Sequence, residues 1–213
     1  SRQQRVGSAK GKFGNDLDEW QYRTTATYVF AFAVAYAMPG TQQYQNPLIL
    51  GQIVDGLDFL ANQLTPEGRW HTYDTNVDRF TLLPLLEAVI LIADKVPEEK
   101  FVDWLAMILQ ACEYQHRNFY YRPMPWGGGY PNMDAYYAAL MALAGRLTDN
   151  EVWSETAKTK VTQIGRRLAE DGGYEYVLGW NPVPVYQEIV VVCLGRYYQL
   201  TGDPQVVEQF HRA

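Results

Sequence analysis

Leu64-Thr-Pro-Glu-Gly68-Arg69-Trp70 and Leu168-Ala-Glu-Asp-Gly172-Gly173-Tyr174 align without a gap. In both, an apolar residue closes a run of helical periodicity, an acidic turn follows, and glycine leads into an aromatic side chain. Gly128-Gly129-Tyr130 supplies a middle copy. Self-similarity at a period of roughly 50 residues is the mark of stacked helical hairpins, because one such unit cannot bury its apolar face alone. The decisive reading is therefore an all-α chain of repeated helix pairs.

Working outward from these turns, helix signals dominate. Asp16 can cap a helix running to about Ala37, where Pro39-Gly40 stops it. Asn46-Pro47 opens a second, with Ile49, Ile53, Leu57, Leu60 and Leu64 on one face. The stretch from Thr81 to Ala93 is apolar on nearly every side. Pro97-Glu98-Glu99 then starts a one-sided helix with Phe101, Trp104, Leu105, Ile108, Leu109 and Cys112 in its stripe. Ala135 to Leu147 is again apolar all round, Val152 to Leu168 one-sided, and Pro184 to Leu200 apolar all round, with another helix from Asp203.

Helices apolar on every side must be enclosed, whereas one-sided helices can face solvent. Their alternation predicts concentric layers, an incomplete (α/α) toroid or barrel of about four helical hairpins. A closed ring of six pairs would need about 300 residues at this period. The expected organisation is a polar, basic arm over residues 1–15 and a toroid domain over 16–213 that belongs to a longer protein.

Composition narrows the function classes. The chain has 213 residues, is 47% hydrophobic and 20% charged, and carries a net charge of −6. That charge argues against a phosphate-backbone partner, so no nucleic acid is expected. The longest apolar run, Ala26 to Met38, is shorter than the about 20 residues a bilayer span needs, so no membrane partner is expected either. Cys112 and Cys193 lie among apolar neighbours and read as core thiols. Three histidines with no Cys/His spacing give no metal site and no cofactor.

The loops carry the functional signal. Residues 66–80, 114–137 and 171–186 hold half of the Phe, Trp and Tyr residues in about a quarter of the length. If these loops converge at one end of a ring, Trp70, Tyr73, Tyr120, Tyr121, Trp126, Tyr130, Tyr174, Tyr176, Trp180 and Tyr186 line a shared cleft. Flat aromatic faces cover the apolar faces of sugars while indole and phenol groups keep hydrogen bonds. Asn76, Asn132 and Asn181 stand just before or within the start of the following helices, where asparagine is also a ready N-cap. Asn76 precedes Tyr130 by the same interval as Asn132 precedes Tyr186, so an Asn of one repeat can face a Tyr of the next.

Trp126-Gly-Gly-Gly-Tyr-Pro-Asn132 and Asp171-Gly-Gly-Tyr174 with Gly179-Trp-Asn-Pro182 resemble the helical toroid domain of polysaccharide lyases, particularly heparinase II/III-like and alginate-lyase-like enzymes. The resemblance implies a secreted or periplasmic enzyme that cleaves uronic-acid glycans by β-elimination, with a β-sandwich domain elsewhere in the full protein. It implies Asn132 or Asn76 as the neutraliser of the uronate carboxylate, Tyr186 or Tyr130 as the proton-transfer residue, and His71 as a second base. Arg79 and Arg122 would hold carboxylates or sulfates, beside Trp70, Tyr73, Trp126, Trp180 and Asn181. Two other classes compete. A glycoside hydrolase on the same scaffold needs two opposed carboxylates, for which Asp74, Asp78, Asp134 and Glu175 are the loop candidates. A non-catalytic carbohydrate-binding domain needs the aromatic residues alone.

Overall fold

The computed structural model describes residues 3–14, 20–70, 78–120, 130–176 and 183–212, apart from the side chains of Phe119 and Tyr120. It is all-helical, and among the described residues no strand forms; two isolated antiparallel bridges join Gln3 to Phe13 and Leu168 to Tyr174. The helices are α1 (Trp20–Ala37), α2 (Pro47–Gln63), α3 (Asp78–Leu91), α4 (Glu98–Gln115), α5 (Pro131–Thr148), α6 (Glu151–Gly165), α7 (Pro184–Thr201) and α8 (Pro204–Arg212). They fall into two compact units, Ser1–Gln115 and His116–Ala213.

In the first unit α1 packs against α2 and α3, and α4 packs against α3 and α2. The Asn46 side chain caps α2 by accepting from the Leu48 amide at 3.0 Å, and Pro47 fills the first turn, where a missing N–H costs nothing. α3 carries the core: Leu82, Leu85, Leu86 and Val89 are fully buried, each contributing about 2 kcal/mol of transfer free energy. α4 is pinned to α2 by Asp58, which accepts from Lys100 Nζ at 2.8 Å and from Trp104 Nε1 at 3.0 Å. The Asp16 cap lies outside the described residues.

The polar arm folds back onto this unit. Gln3 Nε2 donates to the Gln52 carbonyl at 2.7 Å, Lys10 pairs with Asp55 at 2.7 Å, and the Phe13 amide donates to Thr25 Oγ1 at 3.1 Å. Phe13 is buried and stacks on Tyr28. Gly11 makes this approach possible, since its φ is +95° and a Cβ would overlap the Asp55 carbonyl oxygen.

In the second unit α5 packs against α6 and α7, and α8 packs against α7 and α6. α5 is enclosed along most of its length from Pro131 to Gly145, as an all-apolar helix must be. α7 differs from the expectation of an enclosed helix. It buries Val190, Cys193, Leu194 and Tyr197 and leaves Val185, Val191 and Val192 exposed, because α5 and the short α8 are its main partners within the unit. Both cysteines are free and buried, and burial pushes the Cys112 thiol far above its ordinary range.

The aligned segments form the same turn in each unit. Thr65 N donates to Arg69 O at 2.9 Å and Gly68 N to Thr65 O at 2.9 Å; Ala169 N donates to Gly173 O at 2.8 Å and Gly172 N to Ala169 O at 3.1 Å. Gly68 and Gly172 both have positive φ, +91° and +85°, which is the physical reason for glycine there. The aromatic residues closing the two turns, Trp70 and Tyr174, are both buried.

Candidate functional site

Of the sequence-derived candidates, the second unit holds Tyr130, Asn132, Tyr174, Tyr176 and Tyr186. Tyr130, not an asparagine, occupies the N-cap position of α5, and it makes no side-chain cap bond. Asn132 follows two residues later inside the helix, 4% exposed, and among the described residues its Oδ1 has no hydrogen-bond partner. The capping role that asparagine fills at Asn46 and Asn150 is therefore not what places Asn132 here. A buried amide oxygen left without a donor costs about 1–3 kcal/mol, so its presence calls for an account.

Three tyrosines stack beside this helix start. The ring of Tyr176 lies 4.9 Å from that of Tyr130 and 4.4 Å from that of Tyr186, with interplanar angles of 27° and 13°. Tyr186 stands in the first turn of α7, and Tyr176 links it to Tyr130 at the N-cap of α5. Gln187 fixes the loop that delivers Tyr176. Its Oε1 accepts from the Tyr174 amide at 2.9 Å and its Nε2 donates to the Tyr174 carbonyl at 2.6 Å, as a neighbouring strand would. Burial, then the hydrogen bond to Tyr186, raises the Tyr176 phenol to about 12. Tyr174 is likewise raised to about 12 by burial, and its hydroxyl donates to Gln209 Oε1 at 3.2 Å.

Two polar pairs flank the start of α5. Asp134 is bound to Lys160 of α6 at 3.2 Å, with side-chain exposures of 11% and 12%. Its position in the first helical turn also suits a negative charge, where the helix dipole is positive. His116 opens a π-helical turn, His116–Tyr120, that leads into the second aromatic loop, and its Nδ1 lies 3.0 Å from Tyr137 Oη. Both residues are buried, and π-turns concentrate at functional positions.

Other candidates take different places. Trp70 is a core residue rather than a cleft residue. It is 4% exposed, its indole donates to the Leu60 carbonyl at 2.8 Å, and its amide donates to Asp78 Oδ2 at 3.3 Å. Arg79 is buried in α3. Tyr174 is core too. His71, Tyr73, Asp74, Asn76, Tyr121, Arg122, Trp126, Trp180 and Asn181 lie outside the described residues. Of the hydrolase carboxylates that are described, Asp78 and Asp134 already hold protein partners.

Sequence reasoning missed Gln187, Lys160, His116 and Tyr137 as members of this neighbourhood. Lys160 and Gln187 carry no local signal, because their roles arise only when α6 and the third loop meet α5 and α7. His116 stands at the edge of the second aromatic loop, which was its one visible cue.

No protein-family model matches the chain, and no curated protein matches it in sequence. Among the described residues no cluster of His, Cys, Asp and Glu has the makings of a metal site, and no helix is long and apolar enough to cross a membrane.

Proposed function

We propose that this chain is a helical (α/α) toroid domain of a polysaccharide lyase that cleaves acidic, uronic-acid-containing glycans by β-elimination. The observation that carries the reading is Asn132, a buried amide in the first turn of α5 whose Oδ1 has no donor among the described residues, in the same unit as the tyrosine stack. A carboxyl group completes such an amide well: its O–H donates to Oδ1 while the amide N–H₂ donates to the other oxygen. Holding the uronate carboxyl in that form removes its negative charge and acidifies the neighbouring C–H. A base then takes this proton, the electrons form the carbon–carbon double bond, and the glycosidic oxygen leaves with a proton from Tyr186. The outer ring faces of Tyr130 and Tyr186, at the two ends of the column, supply stacking surface for the sugar ring.

The toroid arrangement is supported by the identical turns at Gly68 and Gly172 and by the enclosed helices α3 and α5 alternating with one-sided α2, α4 and α6. The same reading implies a secreted or periplasmic protein, with the remaining catalytic groups on loops outside the described residues or on a further domain. A second reading has one observation in its favour. The stack of Tyr130, Tyr176 and Tyr186 suits a carbohydrate-binding domain that grips sugar without cleaving it.

The test is to incubate the protein with alginate, heparan, chondroitin and pectin, following both ultraviolet absorbance of unsaturated uronate and release of reducing ends. Lyase action raises the two together. Reducing ends without absorbance mean hydrolysis, and binding without either means a recognition domain.

A further inference from the structure

A second site lies apart from the tyrosine stack, in a cleft of about 310 Å³ lined by Thr162, Arg166, Gln205, Glu208, Gln209 and Arg212 at the meeting of α6 and α8. Its floor is rigid and satisfied. Gln209 is buried, its Nε2 donates to the Val161 carbonyl at 3.2 Å and its Oε1 accepts from Tyr174. Gly165 gives the Gln209 amide its room, since a Cβ there would come within 2.7 Å of Nε2. Thr162 Oγ1 lies 2.9 Å from the Gln205 side-chain amide and 3.1 Å from the Lys158 carbonyl oxygen, with one hydroxyl proton to share between them, so the Gln205 N–H₂ group has donor capacity left for the cleft.

The rim is donor-rich. Arg166, from the end of α6, and Arg212, from α8, are exposed and have no carboxylate within ion-pair distance among the described residues, although Glu208 lines the same cleft. Two guanidiniums from different helices, an amide N–H₂ and one opposing carboxylate make a cleft with more donors than acceptors. Guanidinium groups match carboxylate, sulfate and phosphate oxygens in a two-pronged geometry. The volume is at the lower end of small-molecule sites, which run from about 300 Å³ upward, so the occupant is of monosaccharide size or less.

We infer that the α6–α8 cleft binds a small oxyanion, a molecule bearing one carboxylate, sulfate or phosphate group, between Arg166 and Arg212 with Gln205 as a third donor. Glu208 opposes binding by like-charge repulsion. This site does not depend on the lyase reading.

The test is titration of the intact chain with glucuronate, inorganic sulfate and inorganic phosphate in separate arms, followed by NMR of the Gly165 amide and the Gln205 side-chain amide. Saturable shifts are expected with at least one of the three, and the tightest arm identifies the oxyanion. Arg166→Ala and Arg212→Ala are each expected to weaken binding about tenfold, and Glu208→Gln to tighten it several-fold. Circular dichroism checks that helix content is unchanged. Shifts that stay linear in all three arms, affinity unmoved in the double variant R166A/R212A, or weaker binding in E208Q would each overturn the assignment.

Discussion

Tyr176 and Tyr186 stack with ring centroids 4.4 Å apart and planes 13° from parallel. The contact joins the third loop to the first turn of α7, and Tyr130 extends it to the first turn of α5. Three segments that are separate in sequence meet in one column of rings, and each aromatic pair is worth about 1 kcal/mol beyond the area it buries. Tyr176→Ala removes both contacts at once. Equilibrium unfolding in urea should register a loss of about 2 kcal/mol, while Tyr176→Phe, which keeps the ring, should cost less than half as much.

Asn132 and Asn150 separate function from stability by chemistry alone. Asn150 Oδ1 accepts from the Trp153 amide at 3.2 Å and caps α6, so Asn150→Ala should cost about 1 kcal/mol. Asn132→Ala removes an oxygen that bonds nothing among the described residues, and its effect on stability should stay below about 1 kcal/mol. Its effect on elimination should nonetheless be at least a hundredfold loss in kcat, on the order expected when a charge-stabilising group is removed. Thermal unfolding beside a lyase assay reads both.

Lys160 and Asp134 depend on each other. With both side chains nearly buried, Lys160→Met strands a carboxylate and should destabilise by about 3 kcal/mol or more. The double variant D134N/K160M should recover part of that loss, and a double-mutant cycle in urea measures the recovery.

Alkaline pH should weaken the second unit. Tyr174 and Tyr176 are raised to about 12 in the folded protein, against 10.0 for an ordinary tyrosine. Above pH 10 the unfolded chain gives up these protons while the folded chain keeps them, so stability is fully present below that point and is lost as pH climbs toward 12. Tyrosinate absorbance should show a late-titrating class that is smaller by one residue in Tyr176→Phe.

The N-terminal arm should be released by a single methyl group. Gly11→Ala would place a Cβ against the Asp55 carbonyl at a left-handed φ, a cost of about 2 kcal/mol or more. Faster amide exchange over residues 3–14, with α3 unchanged, would show that the arm detaches locally.

Helix positions were legible because the signals are local: Asn46-Pro47 and Pro184 open their helices where capping and proline chemistry dictate, whereas α5 begins at Pro131, ahead of the apolar run from Ala135 that announced it. The repeat was legible for a deeper reason, since the glycines recur where the same turn demands positive φ. The grouping of the loop aromatics was only partly legible. Loop composition pointed to Tyr130 and Tyr186, but the same signal chose Trp70 and Tyr174, which proved to be core. An aromatic residue after a glycine turn reads alike in both settings, and only burial separates them. Tyr176 was named among the loop aromatics, but its place between Tyr130 and Tyr186, and the role of Gln187, depend on how the third loop docks, a non-local event with no periodicity to announce it.

The most direct test of the lyase reading is the unsaturated-uronate absorbance assay on the uronate panel, run with the wild-type chain, Asn132→Ala and Tyr186→Phe in the context of the full protein. The account predicts absorbance rising with reducing ends on at least one polymer, and both signals collapsing in the two variants while the fold persists. Absorbance undiminished in both variants, or reducing ends released with no absorbance, would contradict it.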